Sequence, residues 1–284
     1  MYFDAHLRAG GLGARDLADL RFFGVAGALC PSGDDVTPAT AAAILRAWAE
    51  LSGPVLRRLR RAGLAAYVAL GVHPRRIPWR GLEALLAELP DLLGRPGVVA
   101  IGVVGLEEGG PREEQVLLRQ LQLAHDLRLP VLVHTPWKEK VRVTRRTLAL
   151  LREAELPAAR VLVDHADGRT VRMIRACGHW AGLSLSAGRR ARGPVEEASA
   201  LVAELGPEGL VLDSDAGEGG GDLLALARAA DRMARRGLSE AVVRRVCGGN
   251  ALAFLGLDPG LLRAGPGGRR GTGATGRSGR PASP

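Results

Sequence analysis

The strongest constraint on the fold is a regular alternation between short apolar segments and longer, charged ones. The apolar segments are rich in Val, Leu, Ala and Gly, and in the charged segments apolar residues recur at helical spacing. This alternation predicts strands and helices in turn. The eight predicted strands are Tyr2–His6, Gly24–Cys30, Leu64–His73, Gly97–Val104, Pro130–His134, Arg160–His165, Trp180–Ser186 and Gly209–Asp215.

The intervening segments predict eight helices. They are Pro38–Ala49, Gly81–Leu93, Glu113–Leu127, Val143–Ala154, Thr170–Ala176, Pro194–Leu205, Leu223–Arg236 and Ser239–Val246. Eight strand and helix pairs match a (β/α)8 TIM barrel, for which roughly 250 residues is typical. No change in composition marks a second domain. Residues 1–263 are therefore predicted to form one α/β barrel domain.

Residues 264–284 differ from the rest of the chain. They are dense in Gly, Pro and Ser and show no apolar periodicity. Because so little apolar surface cannot offset the entropy of ordering, we predict a disordered tail. The tail contains the spacing Gly271-x-Gly273-x-x-Gly276, but no predicted strand precedes it and no helix follows, as dinucleotide binding requires. We interpret that match as chance.

The charge leaves a nucleic-acid partner open. The net charge is +9, from 39 basic and 30 acidic residues. The tail carries no acidic residue and four of the arginines: Arg269, Arg270, Arg277 and Arg280. Such a tail is one way to bind nucleic acid without sequence preference. Lys138 and Lys140 are the only lysines, so a coding bias towards arginine is the alternative source of the charge.

Other features narrow the class of protein. No apolar run approaches the 18–20 residues of a membrane-spanning helix, and the N-terminus does not resemble an export signal, so we expect a cytoplasmic protein without a membrane partner. The three cysteines are far apart, which predicts buried free thiols rather than disulfides or a thiolate zinc site. Phosphate-binding loops, nucleophile elbows and zincin helices are absent.

Metal-ligand residue types end five of the eight predicted strands. The residues are His6, His73, His134, His165 and Asp215, and they include four of the six histidines in the chain. In a parallel barrel the carboxyl ends of all strands open at one face, so these side chains converge on one pocket. Imidazoles and a carboxylate together predict a divalent-metal site. The alternative is that each histidine caps its strand with a structural hydrogen bond.

Several motifs carry a resemblance to a known family. In chain order they are Asp4-Ala5-His6-Leu7-Arg8, Gly71-Val72-His73-Pro74, the segment from Ala100 to Glu107, Gln115 and Gln120, the segment from Leu129 to Thr135, Asp164-His165, Asp213-Ser214-Asp215, and Asn250 with Phe254. Over roughly residues 2–257 the chain resembles the TatD-like metal-dependent hydrolases of the amidohydrolase superfamily. The resemblance implies a TIM barrel that cleaves a phosphodiester, as a DNase does, or an ester or amide.

Two positions depart from the family pattern. Arg8 stands where the family has a histidine ligand, and Val103 stands where it has a carboxylate that bridges two metals. A guanidinium stays protonated and has no lone pair to give, and valine has no donor atom. We therefore expect one divalent ion, held by the residues that remain: His6, His134, His165 and Asp215. Zinc suits these ligands best, with manganese, iron or nickel as alternatives.

The resemblance also implies roles for individual residues. Asp215 is expected to be catalytic, orienting a water molecule and taking its proton. His73, Arg8 and Glu107 are expected to bind the substrate, either a small molecule or a nucleic acid. Arg8 has an equal alternative, a salt bridge to Asp4 or Glu107. The residues that follow His134, namely Trp137, Lys138, Lys140 and Arg142, are expected either to contact substrate or to form a solvated loop.

Three functions compete on this basis. The first is a metal-dependent hydrolase. The second is a barrel that has lost catalysis and acts as a binding or scaffold protein, which the changes at Arg8 and Val103 favour. The third is nucleic-acid binding through the basic tail. The retained histidines and Asp215 favour the hydrolase.

Overall fold

Eight parallel strands follow one another around a single sheet in chain order, in a computed structural model that describes residues 1–185, 193–217 and 221–262. The strands, numbered one to eight here, are Tyr2–Asp4, Val25–Pro31, Ala65–Leu70, Val98–Gly105, Val131–His134, Val161–Val163, Trp180–Ser184 and Leu210–Asp213. The predicted TIM barrel is confirmed. The predicted tail and Ser186, the last residue of the seventh predicted strand, lie outside the described residues.

Helices connect the strands. The α-helices are Ala14–Phe22, Ala41–Glu50, Leu56–Arg61, Leu82–Leu93, Pro111–Leu127, Lys140–Glu153, Val171–Ala176, Pro194–Leu205, Ala225–Arg235, Glu240–Arg244 and Asn250–Leu255. The segments Leu51–Val55 and Arg245–Gly249 are π-helical, and Pro74–Arg76, Ala158–Arg160 and Pro259–Leu262 are 3₁₀ turns. Among the described residues, every helix is too short or too polar to cross a membrane.

Two helical features were not predicted. The helix Ala14–Phe22 connects strands one and two, where only strands were expected, because its sequence carries just two buried residues, Leu17 and Leu20. The second predicted helix continues through the π-helical segment into Leu56–Arg61. Pro54 lies inside that segment, where a proline has no N–H for the regular helical ladder.

Strand one and strand eight are joined mainly by side chains at the carboxyl end. The Asp4 carboxylate accepts hydrogen bonds from Ser214 N at 3.0 Å and Ser214 Oγ at 2.6 Å. Asp215 N donates to the His6 carbonyl at 3.0 Å, and Leu7–Arg8 then pairs in parallel with Ala216–Gly217. This closure fixes the backbones of His6 and Asp215 next to each other.

Alternation along the strands sorts the core into two clusters. In strand five, Val131 and Val133 join the larger cluster with the helices, whereas Leu132 joins a smaller one with Leu162 and Val211 of strands six and eight. The smaller cluster is the barrel interior, because side chains two residues apart share a face. His134 therefore has the inward register of Leu132.

Candidate metal centre

His6 is held by a carboxylate from the opposite side of the barrel. Its Nδ1 lies 2.8 Å from Asp164 Oδ2, and its Nε2 lies 3.7 Å from Asp215 Oδ1. Because the Asp164 carboxylate accepts the Nδ1 proton, Nε2 carries the lone pair on the side of Asp215. Burial disfavours the charged ring, but the hydrogen bond with Asp164 and the charge of Asp215 outweigh it and raise the pKa of His6.

His165 is oriented through a serine. Its Nδ1 lies 2.7 Å from Ser184 Oγ, which in turn donates to Asp164 Oδ1 at 3.1 Å. Since the hydroxyl proton goes to Asp164, Ser184 accepts from Nδ1, and Nε2 keeps its lone pair. Burial lowers the pKa of His165 to about 4 against the attraction of Asp164, so the ring is neutral at neutral pH.

Asp164 is a site residue that the sequence analysis did not single out. It is fully buried, and one potential ligand atom from each of His6, Asp164 and His165 lies within 4.8 Å of the other two. Gly182 makes room for it, because a Cβ at that position would collide with the carboxylate. The motif Asp164-His165 was visible in the sequence, but a carboxylate that orients two histidines is recognisable only from their contacts.

His134 lies on the other side of His165. The ring centroids of the two residues are 5.1 Å apart, and His73 lies 4.9 Å from His134. His134 Nε2 is hydrogen-bonded to Glu107 Oε2 at 2.8 Å, whereas its Nδ1 is buried without a partner among the described residues. The structure thus brings His134 and Glu107 to the centre, with one imidazole nitrogen left for an ion.

The donor set fits one ion better than two. His6 and His165 each present Nε2, and His134 and Asp215 lie beside them. Val103, by contrast, is buried in the apolar interior cluster and has no donor atom. Arg8, the other departure from the family pattern, forms an ion pair with Asp34 at 3.3 Å. The positions expected for a second ion therefore carry no ligand.

Sequence and structure comparisons agree with this geometry. A family model described as TatD related DNase matches residues 39–217. A Methanocaldococcus jannaschii protein described as an uncharacterized metal-dependent hydrolase is 30% identical over 254 residues, covering 89% of this chain and 99% of that protein. The chain belongs to the TatD-related family.

Solved structures support the assignment of this TatD-related chain. The TatD-like protein of Archaeoglobus fulgidus is 31% identical, with a TM-score of 0.75 over 90% of this chain and 100% of that one. The phosphotriesterase homology protein of Escherichia coli is 19% identical, with a TM-score of 0.68 over 89% of this chain and 98% of that one. At that lower identity the second likeness shows the fold alone.

The TatD-related site is bordered by a chain of charged contacts. Arg75 lies 2.9 Å from Glu107 and 3.0 Å from Asp34, which also pairs with Arg8. The alternative partners predicted for Arg8, Asp4 and Glu107, are therefore wrong. Asp34 takes that place because it reaches Arg8 from the loop after strand two, whereas Asp4 is consumed by Ser214 and His6.

Charges in this chain have opposite effects on two neighbours. Burial favours the neutral form of Glu107, but the hydrogen bond with His134 and the contact with Arg75 outweigh it and lower its pKa to about 2. Burial and the positive charge of nearby groups lower the pKa of His73 well below its usual value. Glu107 is thus ionised and His73 neutral at neutral pH.

Two of the predicted site residues adopt a left-handed backbone. The φ angle is 59° at His165 and 45° at Asp215, a region that non-glycine residues seldom occupy. Such conformations cost of order 1–3 kcal/mol and persist where the surrounding structure enforces them, often at functional sites. Both residues directly follow a barrel strand, so this conformation turns the side chains at the mouth of the barrel.

The loop after His134 corrects part of the prediction. Lys140 is buried, and its Nζ donates to Thr135 Oγ1 at 3.3 Å and Pro136 O at 3.1 Å, so it braces the loop from below. Trp137 remains at the site, with its ring centroid 6.2 Å from that of His165. Lys138 and Arg142 are exposed.

The remaining histidines lie away from the centre, as expected. His125 is half-exposed within the helix Pro111–Leu127. His179 precedes strand seven, at the amino-terminal end of the barrel, and its Nδ1 lies 3.4 Å from the Ala158 carbonyl.

Proposed function

We propose that this chain is a metal-dependent hydrolase that uses a single divalent ion, preferably zinc, to cleave a phosphodiester, as a DNase does, or an ester or amide. The residues that would hold the ion are His6, His134, His165 and Asp215. The observation that carries the proposal is the His6–Asp164–His165 cluster with Asp215 3.7 Å from His6. Family membership supports it.

Asp215 is the best-placed base. A bound divalent ion would supply the positive charge that polarises the scissile bond and acidifies an attacking water molecule. The Asp215 side chain is 19% exposed, so it reaches the open mouth of the barrel while its neighbour His6 is buried. A carboxylate in that position orients water by hydrogen bonding and accepts its proton.

Arg8, Arg75 and His73 supply the substrate side of the site. Arg8 and Arg75 remain partly exposed beside Asp34, so each can also contact an anionic group or stabilise negative charge that develops in the reaction. His73 Nδ1 accepts a hydrogen bond from Arg75 N at 3.2 Å. In its neutral form His73 therefore carries its proton on Nε2, a hydrogen-bond donor for a substrate oxygen.

Metal content tests the number of ions. We would measure zinc, manganese, iron and nickel per chain by mass spectrometry on untagged protein purified without chelator. We expect one equivalent, lost in His165→Ala and in His134→Ala and retained in the matched control His125→Ala. Two equivalents would contradict the single-ion site. No metal, even after zinc or manganese is added, would favour the binding-protein alternative.

Activity tests the reaction class. The metal-loaded protein is assayed with bis(p-nitrophenyl) phosphate and with p-nitrophenyl acetate, whose hydrolysis reports phosphodiester and ester cleavage respectively. We expect Asp215→Asn to lower turnover by about 10²–10⁴-fold, the usual contribution of a positioned acid or base. Turnover that is unchanged in Asp215→Asn, or absent from the metal-loaded protein with both substrates and with DNA, would contradict the proposal.

A further inference from the structure

A cavity of about 140 Å³ opens beside the candidate metal centre. Arg8 and His73, both expected to bind substrate, line it, so it belongs to the same end of the barrel. Its apolar wall comes from the second helical region and includes Ile44, Ala47 and Trp48. An apolar cavity of roughly 150 Å³ is large enough to hold benzene. The space therefore suits one six-membered ring.

The cavity wall contains an unsatisfied hydrogen-bond donor. The Trp48 side chain is only 1% exposed, and its Nε1 has no hydrogen-bond partner among the described residues. A buried donor without a partner costs about 1–3 kcal/mol, so tryptophan is retained at such a position most readily where an acceptor reaches it. An occupant of the cavity that carries an acceptor atom would supply that hydrogen bond.

The charges around the cavity balance. Two arginines, Arg8 and Arg76, and two acids, Asp35 and Glu50, line it. Both arginines are engaged with Asp34, Arg8 through the carboxylate and Arg76 through the carbonyl oxygen. With no net charge on its wall, the cavity favours an uncharged occupant.

We propose that this cavity binds an uncharged six-membered ring with a hydrogen-bond acceptor, and that the ring is part of the substrate. The proposal rests on the hydrolase function proposed above and narrows its substrate class. Two sources share this chemistry. One is an aryl group of an ester or amide, and the other is the pyrimidine base of a nucleotide ester.

Three probes test the cavity without relying on turnover. Benzamide represents the aryl source, uracil represents the pyrimidine source, and toluene is a ring without an acceptor. Binding is followed by the indole N–H signals of the ¹⁵N-labelled protein, whose four tryptophans give four signals. Trp48→Phe identifies the Trp48 signal by its loss. We expect benzamide or uracil to shift that signal and toluene to bind at least about tenfold more weakly, the effect of one hydrogen bond.

Each outcome decides a part of the proposal. The tighter of benzamide and uracil identifies the source of the ring. A Trp48 signal that neither probe moves at millimolar concentration would overturn the proposal. If Trp48→Phe, followed by ligand-observed NMR, retains the preference for benzamide or uracil over toluene, the hydrogen bond to the indole is refuted.

A cavity-filling variant provides the matched test of location. Ala47 is half-buried on the helix Ala41–Glu50, and Ala47→Leu adds side-chain volume towards the cavity. We expect it to weaken probe binding at least about tenfold, since overpacking such a space is costly. Unchanged probe binding in a folded Ala47→Leu protein would overturn the assignment of the site, and circular dichroism checks the fold.

Inhibition separates this proposal from the proposed function. The ring-binding probe is expected to inhibit ester or phosphodiester hydrolysis competitively by the metal-loaded protein. Turnover that the bound probe does not inhibit would refute the substrate role of the cavity and leave the hydrolase intact. Probe binding by a protein that holds no metal and turns over nothing would refute the hydrolase and leave a ring-binding site.

Discussion

His6 Nδ1 lies 2.8 Å from Asp164 Oδ2, although 158 positions separate the two residues in the chain. The second oxygen of the same carboxylate accepts from His165 N at 2.6 Å and from Ser184 Oγ at 3.1 Å. One buried aspartate therefore sets the orientation of two candidate ligands. Its contacts with His165 and His6 outweigh burial and hold the pKa of Asp164 below its usual range.

Asp164→Asn is expected to weaken zinc binding about 10–100-fold, the usual cost of losing a carboxylate behind a ligating histidine. The amide cannot accept hydrogen bonds on both of its terminal atoms, so either His6 or Ser184 loses its partner. Competition with a chromophoric chelator measures the affinity. The control is Asp167→Asn on the same loop, where Asp167 instead pairs with Arg169. Equal zinc affinity in the two variants would refute the orienting role.

Asp34→Asn is expected to destabilise the protein at neutral pH by up to about 1 kcal/mol, the range for exposed ion pairs. Burial opposes ionisation of Asp34, but its contacts with Arg75 and Arg8 prevail and lower its pKa. A lowered pKa stabilises the fold above the ordinary value of about 4 and loses that contribution as the pH falls through the folded value. Urea unfolding from neutral pH to pH 3 should show the deficit shrinking. A deficit that grows with acidity would contradict this assignment.

One thiol of three is expected to react rapidly with a disulfide reagent at mildly alkaline pH. Burial raises the pKa of Cys247 to about 12 and that of Cys30 further, so neither forms a thiolate under those conditions. Cys177 is exposed at the end of the helix Val171–Ala176, contrary to the prediction that all three are buried. Cys177→Ser should abolish the fast reaction. Two fast thiols in the folded protein would contradict the packing of strand two or of the segment Arg245–Gly249.

Asn250→Ala is expected to destabilise the protein without changing its metal content. Asn250 Nδ2 donates to Pro207 O at 2.7 Å and to Leu210 O at 2.6 Å, which ties the closing helix to the start of strand eight. Leaving those buried carbonyls unpaired costs about 1–3 kcal/mol. Thermal unfolding measures the loss, and Gln122→Ala on an exposed helix face is the control. Loss of metal from a folded Asn250→Ala protein would show that this residue acts at the site.

Particular residues show how far the sequence reaches. The apolar runs predicted every barrel strand to within a few residues, because strands buried on both faces differ sharply from the amphipathic segments between them. Gln120 and Asn250, noted only as parts of motifs, turn out to tie loops and strands together, Gln120 through Val72 N at 2.7 Å. The helix Ala14–Phe22 was missed because its apolar face is only two residues wide.

The candidate site divides along the same line. That His6, His73, His134, His165 and Asp215 meet at one end of the barrel follows from the sequence, since each ends a predicted parallel strand. That Asp164 orients two of them, that Arg8 pairs with Asp34, that Lys140 is buried and that Trp48 lines a cavity are decided by the tertiary structure. Strand order and the period of alternation are local properties of the chain. A hydrogen bond across the barrel depends on the register and tilt of separate strands, which no local pattern encodes.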